Sequence, residues 1–273
     1  MTKEDWEKVL VRATKKVRAK VSAVAEQGDR TLTVGVGASG DKTILADREA
    51  EGILLDALSG LDGIRVLSEE AGVRGDPSAR TLAVVDPLDG SSNFERGIPF
   101  YCTSVAMAEG ESLADVKFGI VRDLVSGDVY VANRGGGAKK NGMAIKTSAV
   151  SKPSEAVVGI DMSRSGPEVI SRLAPLVIGV RRQVHLGANA LELCYLAEGR
   201  IDAFVDVRGK IRITDFAAAY LVASEAGAVF TDAVGGELAP KFDLHARFGF
   251  IGSGNETIHK EILRLCGKSG GIR

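Results

Sequence analysis

Apolar residues recur at three- and four-residue steps near the start of the chain, among many charged residues. This spacing predicts an amphipathic helix from Thr2 to about Gln27. A second apolar stripe predicts a helix from Ile44 to Leu58, with Asp47 in its first turn near the positive end of the helix dipole. Each helix would bury one face against a neighbouring layer.

Short, β-branched apolar runs follow, and each of them predicts a strand. Ile64–Leu67 and Thr81–Val85 both run directly into carboxylates. Three later runs, at 103–108, 116–121 and 128–132, are joined by short polar turns, which is typical of an antiparallel meander. The first half of the chain therefore predicts helices packed on a largely antiparallel sheet.

Beyond about residue 152 the pattern changes to strands and helices in alternation. We expect an N-terminal α+β domain over 1–152, carrying most of the candidate metal ligands, and a C-terminal α/β domain over 153–273. The C-terminal domain contributes Asp215, at the start of an alanine-rich helix predicted over 215–226, with Thr214 as its cap. The fold class is α/β (α+β).

The stretch from Val84 to Asn93 changes abruptly from apolar to acidic. Asp86 and Asp89 lie three residues apart on a turn, so their carboxylates can converge on one point, with the Leu88 carbonyl between them. Such an oxygen-only set suits Mg²⁺ or Mn²⁺ rather than zinc. Pro87 removes a backbone donor, so strand pairing is expected to end there. The alternative is an ordinary Asp-Pro-x-Asp-Gly turn whose aspartates accept bonds from nearby N–H groups.

Two neighbouring features extend this acidic turn. Glu69 also follows a strand, so it meets Asp86 if the two strands are adjacent and point the same way. Gly90 permits a tight turn, and Ser91–Asn93 are cap-forming residues that predict a short helix, whose N-terminus offers N–H groups to a phosphate.

Composition narrows the classes of function. The 273 residues are 45% hydrophobic and 26% charged, and the net charge of −1 argues against a nucleic-acid partner. We find no signal peptide and no apolar run of about 18 residues, so a cytoplasmic protein with no membrane partner is expected. The three cysteines are interpreted as core residues, and the three histidines lack metal-ligand spacing.

Three acidic stretches, Ser68-Glu69-Glu70, Asp86-Pro87-Leu88-Asp89-Gly90-Ser91-Ser92-Asn93 and Thr214-Asp215, resemble the inositol monophosphatase family of Mg²⁺-dependent phosphatases. The stretch from Gly187 to Lys210 resembles the archaeal-type members, which hydrolyse both fructose 1,6-bisphosphate and inositol phosphates. The resemblance implies a layered αβαβα sandwich of the sugar phosphatase type and a homodimer. The chain departs from the common family pattern at Thr214 and Ala219, where most members have Trp and Gly, and at Ser91-Ser92, which replaces a Thr-Thr pair.

The resemblance also implies roles for individual residues. Asp47 and Ser91 would orient the attacking water, with Glu69 as a further catalytic residue. The implied metal ligands are Glu69, Asp86, the Leu88 carbonyl, Asp89, Asp215 and, from a mobile loop, Asp41. The implied substrate-binding residues are Asp89, Gly90, Ser91, Ser92, Gly187, Asp206, Arg208 and Lys210.

The activity implied is that of a phosphomonoesterase with two or three Mg²⁺ ions, for which Mn²⁺ can substitute. Metal-activated water would attack fructose 1,6-bisphosphate or inositol 1-phosphate in line, with catalysis mainly electrostatic. Arg208, Lys210 and Arg212 could hold a second phosphate, with Arg164 as a weaker candidate, or they could form a solvated loop or a dimer contact.

Other functions remain as alternatives. A nucleotidase acting on 3′-phosphoadenosine 5′-phosphate would share the carboxylates, but it needs a nucleobase pocket, and only 5% of the residues are aromatic. Histidinol phosphate is another candidate substrate of this class. A binding protein acting through partners would have no need of the complete acidic set, which favours catalysis on a small sugar phosphate or inositol phosphate.

Overall fold

The structure, a computed structural model, describes residues 3–267, with side chains from residue 5 onward. Thr2, where the first predicted helix was expected to begin, lies outside the described residues. The described residues form α-helices at α1 Lys3–Glu26, α2 Leu45–Ser59, α3 Ser91–Arg96, α4 Pro167–Gly179, α5 Asn189–Ala197, α6 Ala217–Glu225 and α7 Glu256–Gly267.

The strands divide into a small hairpin and two sheets. The hairpin pairs β1 Thr33–Val36 with β2 Lys42–Ile44. The larger sheet contains β3 Ile64–Ser68, β4 Gly72–Arg74, β5 Thr81–Asp89, β6 Cys102–Ala108, β7 Val116–Asp123, β8 Val129–Asn133, β9 Ala138–Lys140 and β10 Met143–Ala144. The smaller sheet contains β11 Val157–Ile160, β12 Arg182–Val184, β13 Ala203–Ile211, β14 Val229–Asp232 and β15 Phe248–Ser253.

These elements stack in five layers. Helices α1 and α2 cover one face of the larger sheet, and α5 and α6 lie between that sheet and the smaller one. Helices α4 and α7 cover the outer face of the smaller sheet. This αβαβα order confirms the predicted fold class, and it buries each sheet on both faces.

The layering follows from the sequence pattern of β5, a central strand. Leu82 and Val84 enter the core shared with α5 and α6, whereas Ala83 and Val85 enter the core beneath α1 and α2. Successive side chains of a strand point to opposite faces, so a continuous apolar run is what a doubly covered strand requires.

The larger sheet has the order β10-β9-β8-β7-β6-β5-β3-β4. The steps from β5 to β10 are antiparallel, which confirms the predicted meander. β3 and β5 are adjacent and parallel, with Ser68 paired to Val85. Their carboxyl ends therefore meet at one edge, as the prediction for Glu69 and Asp86 required. The short strands β4 and β12 were not predicted.

The prediction that pairing ends at Pro87 is wrong. β5 continues past the proline, pairing Asp86 with Ser104 and Asp89 with Cys102, and the register shifts between these pairs. Pro87 lies inside the shift, where the ladder does not need its missing N–H. The irregularity lets the strand carry both aspartates before α3 begins.

Helix α6 lies unusually close to the larger sheet. A Cβ atom on Gly119 of β7 would lie 2.7 Å from the Ala218 carbonyl oxygen, so only glycine fits there. The predicted cap of this helix is wrong, because α6 begins at Ala217 with Phe216 as its N-cap residue. The Thr214 hydroxyl donates instead to Asp215, at 3.0 Å. Asp215 therefore lies on the turn before the helix.

The chain passes from the larger to the smaller sheet between Ala144 and Val157. The predicted boundary at residue 152 falls in this connection, and the division into two domains stays a prediction. None of the helices in the described part of the chain is both long and apolar enough to cross a bilayer.

Candidate active site

The candidate site lies at the carboxyl ends of the parallel strands β3 and β5. Glu69 follows β3 directly, Asp86 belongs to β5, and Asp215 approaches from the turn before α6. One carboxylate oxygen of each lies within 4.8 Å of the others. The Ser104 hydroxyl donates to the Thr214 carbonyl at 3.2 Å and so fixes the Asp215 turn against the larger sheet. Glu69 and Asp215, which are 146 positions apart in the sequence, thus lie close together.

Burial and mutual repulsion dominate the electrostatics of these three carboxylates. The pKa values of Glu69 and Asp86 are raised well above their ordinary values, first by burial and then by the neighbouring carboxylates. Burial also raises the pKa of Asp215, although Arg212 and the Thr214 hydroxyl oppose this. Such a set is stable in its charged form only beside a cation.

Asp89 lies beside this cluster without joining the set of three. Its carboxylate accepts a hydrogen bond from the Ala190 N–H at 2.7 Å, and the Cys102 thiol lies 3.7 Å away as a further donor. Burial and the nearby Asp215 raise the pKa of Asp89. Asn189 contacts both acids, because its backbone N–H bonds Asp89 and its side-chain amide bonds Asp215. The sequence interpretation missed the positions of Cys102 and Asn189.

Asp47 is almost fully buried in the first turn of α2, with 3% of its surface exposed. It accepts the Ile44 N–H at 2.8 Å, which fixes its carboxylate at the helix start. Burial raises the pKa of Asp47 to about 7, and the acids Glu70, Glu95 and Glu51 add to the rise. A carboxyl with such a pKa can exchange a proton near neutral pH.

The start of α3 forms one wall of the cavity at this site. Gly90 precedes the helix with a φ of 88°, and a Cβ there would lie 3.0 Å from the Phe100 carbonyl oxygen, so the turn requires glycine. The predicted short helix is confirmed, and it places Ser91 and Ser92 in its first turn, where they line the cavity with Leu88.

The loop between β1 and β2 forms a further wall of the cavity. Its backbone is fixed to the acidic segment, since the N–H groups of Ala38 and Ser39 bond to the carbonyls of Glu70 and Glu69 at 2.9 and 3.0 Å. Asp41 on this loop is exposed over 56% of its side chain and forms an ion pair with Arg212. Arg212 also forms an ion pair with Glu69.

Together these elements enclose a cavity of about 320 Å³. Its walls carry six acids and three basic residues. The lining residues are Asp41, Lys42, Ile44, Asp47, Glu69, Glu70, Asp86, Leu88, Ser91, Ser92, Glu95, Arg164 and Arg212. The sequence interpretation gave no site role to Glu70, Glu95 or Lys42. Spacing offered a signal for Glu95, which lies four residues after Ser91 and so on the same side of α3.

Six of the eight predicted substrate-binding residues do not line this cavity: Asp89 and Gly90, described above, and Gly187, Asp206, Arg208 and Lys210. Gly187 lies against the Asn93 side chain, and its N–H bonds Glu192 at 3.0 Å. Asp206 is fully buried and pairs with Arg208, with a closest contact of 2.5 Å. Lys210 bonds the Arg164 carbonyl at 2.6 Å. Their roles in substrate binding stay predictions, as do the roles of the residues that do line the cavity.

The donor set fits a hard divalent cation. It consists of carboxylates that lie close enough to converge on one ion, and Leu88 lines the same cavity. Burial and mutual repulsion both raise the pKa values of Glu69 and Asp86, so a bound cation would stabilise their charged forms.

Known proteins agree with this geometry. The profile of the inositol monophosphatase family matches residues 2–270. A fructose-1,6-bisphosphatase/inositol-1-monophosphatase of Methanothermobacter thermautotrophicus is 36% identical over 271 residues, with 95% of each chain covered. The crystal structure of an inositol monophosphatase-fructose 1,6-bisphosphatase is similar with a TM-score of 0.86 at 32% identity, and the match covers 95% of this chain and 99% of that one.

A further relative carries a different name. The bifunctional NADP phosphatase/NAD kinase of Methanococcus maripaludis is 31% identical over 259 residues, covering 86% of this chain and 44% of the relative. The family profile spans nearly the whole chain, and the relatives matching most of its length are named as phosphatases. The chain therefore belongs to the inositol monophosphatase family, and it is a phosphoric monoester hydrolase.

Proposed function

We propose that this enzyme is a Mg²⁺-dependent phosphatase of small sugar phosphates and inositol phosphates, with fructose 1,6-bisphosphate and inositol 1-phosphate as substrates. The observation that carries the proposal is the convergence of Glu69, Asp86 and Asp215, two of which line one cavity together with Asp47 and Ser91. The similarity to relatives named for these two activities supports the substrate class.

Glu69, Asp86 and Asp215 hold the metal, together with the Leu88 carbonyl, and Asp89 completes the ligand set from its place beside them. Bound Mg²⁺ supplies positive charge that polarises the phosphoryl oxygens, lowers the pKa of water and stabilises the leaving alkoxide. Asp41 on the β1–β2 loop serves a further ion, so two or three ions bind in all, and Mn²⁺ substitutes for Mg²⁺.

The remaining residues orient the reactants. Asp47 and the Ser91 hydroxyl position the water, and the raised pKa of Asp47 lets it accept a proton as the water oxygen bonds to phosphorus. The N–H groups of Gly90, Ser91 and Ser92 face the phosphate, which lies at the start of α3. The ester P–O bond breaks on the opposite side, and the leaving alkoxide takes up a proton from solvent water to give the alcohol.

Arg164 is the better placed of the candidate contacts for a second phosphate. It lines the cavity without a carboxylate partner among the described residues, whereas Arg212 pairs with two acids there and Arg208 and Lys210 bond to other protein groups. Gly187 and Asp206 act indirectly, by fixing the loops behind the cavity. A homodimer in the cytoplasm, with no nucleic-acid or membrane partner, completes the proposal.

A second candidate function is the removal of a phosphate from a nucleotide. The specific reason to test it is the relative that is named for NADP phosphatase activity and matches 86% of this chain. The same carboxylates would serve this reaction, and the difference lies in a site for the base.

The decisive experiment is phosphate release from fructose 1,6-bisphosphate, inositol 1-phosphate, 3′-phosphoadenosine 5′-phosphate and NADP, measured side by side with Mg²⁺ and with chelator. We expect release from the first two, and its loss in chelator. Turnover of the nucleotides alone would replace the proposal with the second candidate. Turnover that survives chelation would contradict the metal mechanism.

A further inference from the structure

Arg212 lines the cavity, and the sequence made it one candidate for holding a second phosphate, but its ion pairs in the fold are with two acids. One of its terminal nitrogens pairs with Glu69 and the other pairs with Asp41. Its side chain is exposed over only 20% of its surface, so both contacts are made in a partly desolvated setting. A single guanidinium thus joins the acidic cluster to the β1–β2 loop.

The other two cations that line the cavity are arranged differently. Lys42 pairs with Glu95 at 2.5 Å, on the far wall. The Arg164 guanidinium forms no ion pair with a carboxylate among the described residues, although the residue lines the same cavity. Within the described residues, Arg212 is therefore the basic residue that is paired with a member of the three-carboxylate cluster.

The contacts of Arg212 use carboxylates that a divalent ion would also use. Glu69 belongs to the converging set, and its pKa is raised because burial and four neighbouring acids disfavour its charge. A guanidinium spreads one positive charge over its three nitrogens, whereas a divalent ion places two positive charges where the carboxylates converge. The two cations therefore compete for the same carboxylate.

We propose that Arg212 is a built-in counter-cation, which neutralises Glu69 and Asp41 when no metal is bound and is displaced from them when these carboxylates ligate the ion. The inference rests on the metal site of the proposed function. Its consequence is that metal affinity is reduced by the cost of breaking the Arg212 pairs. A second consequence is that metal entry releases the Asp41 side chain from the wall that carries Arg212.

The test compares Arg212→Gln with wild type and with Arg164→Gln, which removes an arginine of the same cavity that has no carboxylate partner. Mn²⁺ binding to chelator-stripped protein is measured by calorimetry, and thermal unfolding is followed in chelator and in saturating Mn²⁺. We expect Arg212→Gln to bind Mn²⁺ about fivefold more tightly, the factor that loss of a partly exposed ion pair of about 1 kcal/mol gives. We expect its unfolding midpoint to fall in chelator and to approach wild type in Mn²⁺, with Arg164→Gln close to wild type throughout.

Trypsin cleavage after Lys42 gives a second readout, because Arg212→Gln should open the loop to cleavage in chelator. If Arg212→Gln does not fold, Arg212→Lys replaces it, since a lysine keeps the charge but cannot bridge two carboxylates as a fork. Equal or weaker Mn²⁺ binding by the variant would overturn the inference alone. Failure of wild type to bind Mn²⁺ would overturn the metal site of the proposed function, and the inference with it.

Discussion

The acids of two regions within the described residues differ in how their charge is compensated. The first is the acidic cluster of Glu69, Asp86 and Asp215 at the carboxyl ends of β3 and β5. The second, which we name the Arg208 network, lies on the smaller sheet and α5. It comprises Asp161, His185, Glu192, Asp206 and Arg208.

The Arg208 network supplies its own cations and donors. Arg208 bonds Asp206 through Nε at 3.0 Å and also pairs with Asp161. His185 lies 3.1 Å from Glu192, and this contact raises the pKa of His185 even though burial disfavours its charge. Glu192 also accepts the N–H groups of Leu186 and Gly187, both at 3.0 Å. Each of its carboxylates therefore has a cation or N–H donors within the described part of the fold, and Glu192 Oε2 is the oxygen of the network that is buried there without a hydrogen-bond partner.

In the acidic cluster, Arg212 pairs with Glu69, and the three carboxylates repel one another. The difference shows that burial of an acid does not by itself mark a functional site. An acid whose charge the protein compensates holds loops together, whereas an acid left uncompensated is suited to an external cation. The two groups should accordingly respond in opposite directions when one charged partner is neutralised.

The largest effect is expected for Arg208→Gln. Removing this guanidinium leaves Asp206 as a buried charge without a cation and leaves Asp161 with His185 alone, so the free energy of unfolding should fall by about 3–5 kcal/mol, with or without Mg²⁺. Denaturant titration in both buffers measures it. A loss confined to turnover of fructose 1,6-bisphosphate, with stability unchanged, would show that Arg208 reads a second phosphate instead.

Asp86→Asn should have the opposite effect on stability. It removes one charge from a repelling cluster, so the protein should be at least as stable as wild type in chelator. Its kcat/KM should fall more than about 100-fold, since even residues that merely orient metal ligands cost up to about 100-fold. Phosphate release and thermal unfolding measure the two outcomes, with Asp56→Asn on the exposed side of α2 as the control. Wild-type turnover in Asp86→Asn would remove the basis of the metal assignment.

The smallest effect is expected from pH. The folded-state pKa of Asp47 is about 7 against an ordinary 3.8, so the folded state binds its proton more tightly than the unfolded state. The stability from this group is complete below about pH 4 and is lost as the pH rises through 7. In chelator the unfolding midpoint of wild type should therefore fall by several degrees between pH 5 and pH 8, and by less in Asp47→Asn. Identical profiles for the two proteins would contradict the role assigned to burial.

The sequence predicted most of the fold because the local signals were strong and agreed with one another. The apolar stripe of the first helix is buried at Leu10, Val17 and Val21, as its spacing requires. The meander was predicted from short strands joined by polar turns, and the structure confirms it. The errors at Pro87 and Thr214 arose where tertiary contacts overrode local preference. A partner strand continued the pairing beyond Pro87, and the Thr214 hydroxyl bonded Asp215 instead of capping the helix.

The substrate-binding predictions show what a linear sequence leaves open. Arg208 and Lys210 follow one another at alternate positions of β13, so they appear in the sequence as one basic group with Arg212. In the fold Arg208 is bound within its network, Lys210 contacts a backbone carbonyl, and Arg212 alone of the three lines the cavity. Spacing gives the face of a strand, but the partner of a long side chain depends on what the other elements place beside it.

By itself, the sequence determined most of the elements and placed Glu69 and Asp86 where apolar strands end. The two acids were expected to meet if these strands were adjacent and parallel, and the tertiary structure met that condition. Only the tertiary structure decided which charges are compensated, because compensation depends on distances of a few ångströms between residues far apart in the chain. Asp206 and Asp86 are both buried aspartates on strands. Arg208 pairs with Asp206, which suits Asp206 to a structural role. Asp86 has no such ion pair among the described residues, which suits it to binding a metal ion.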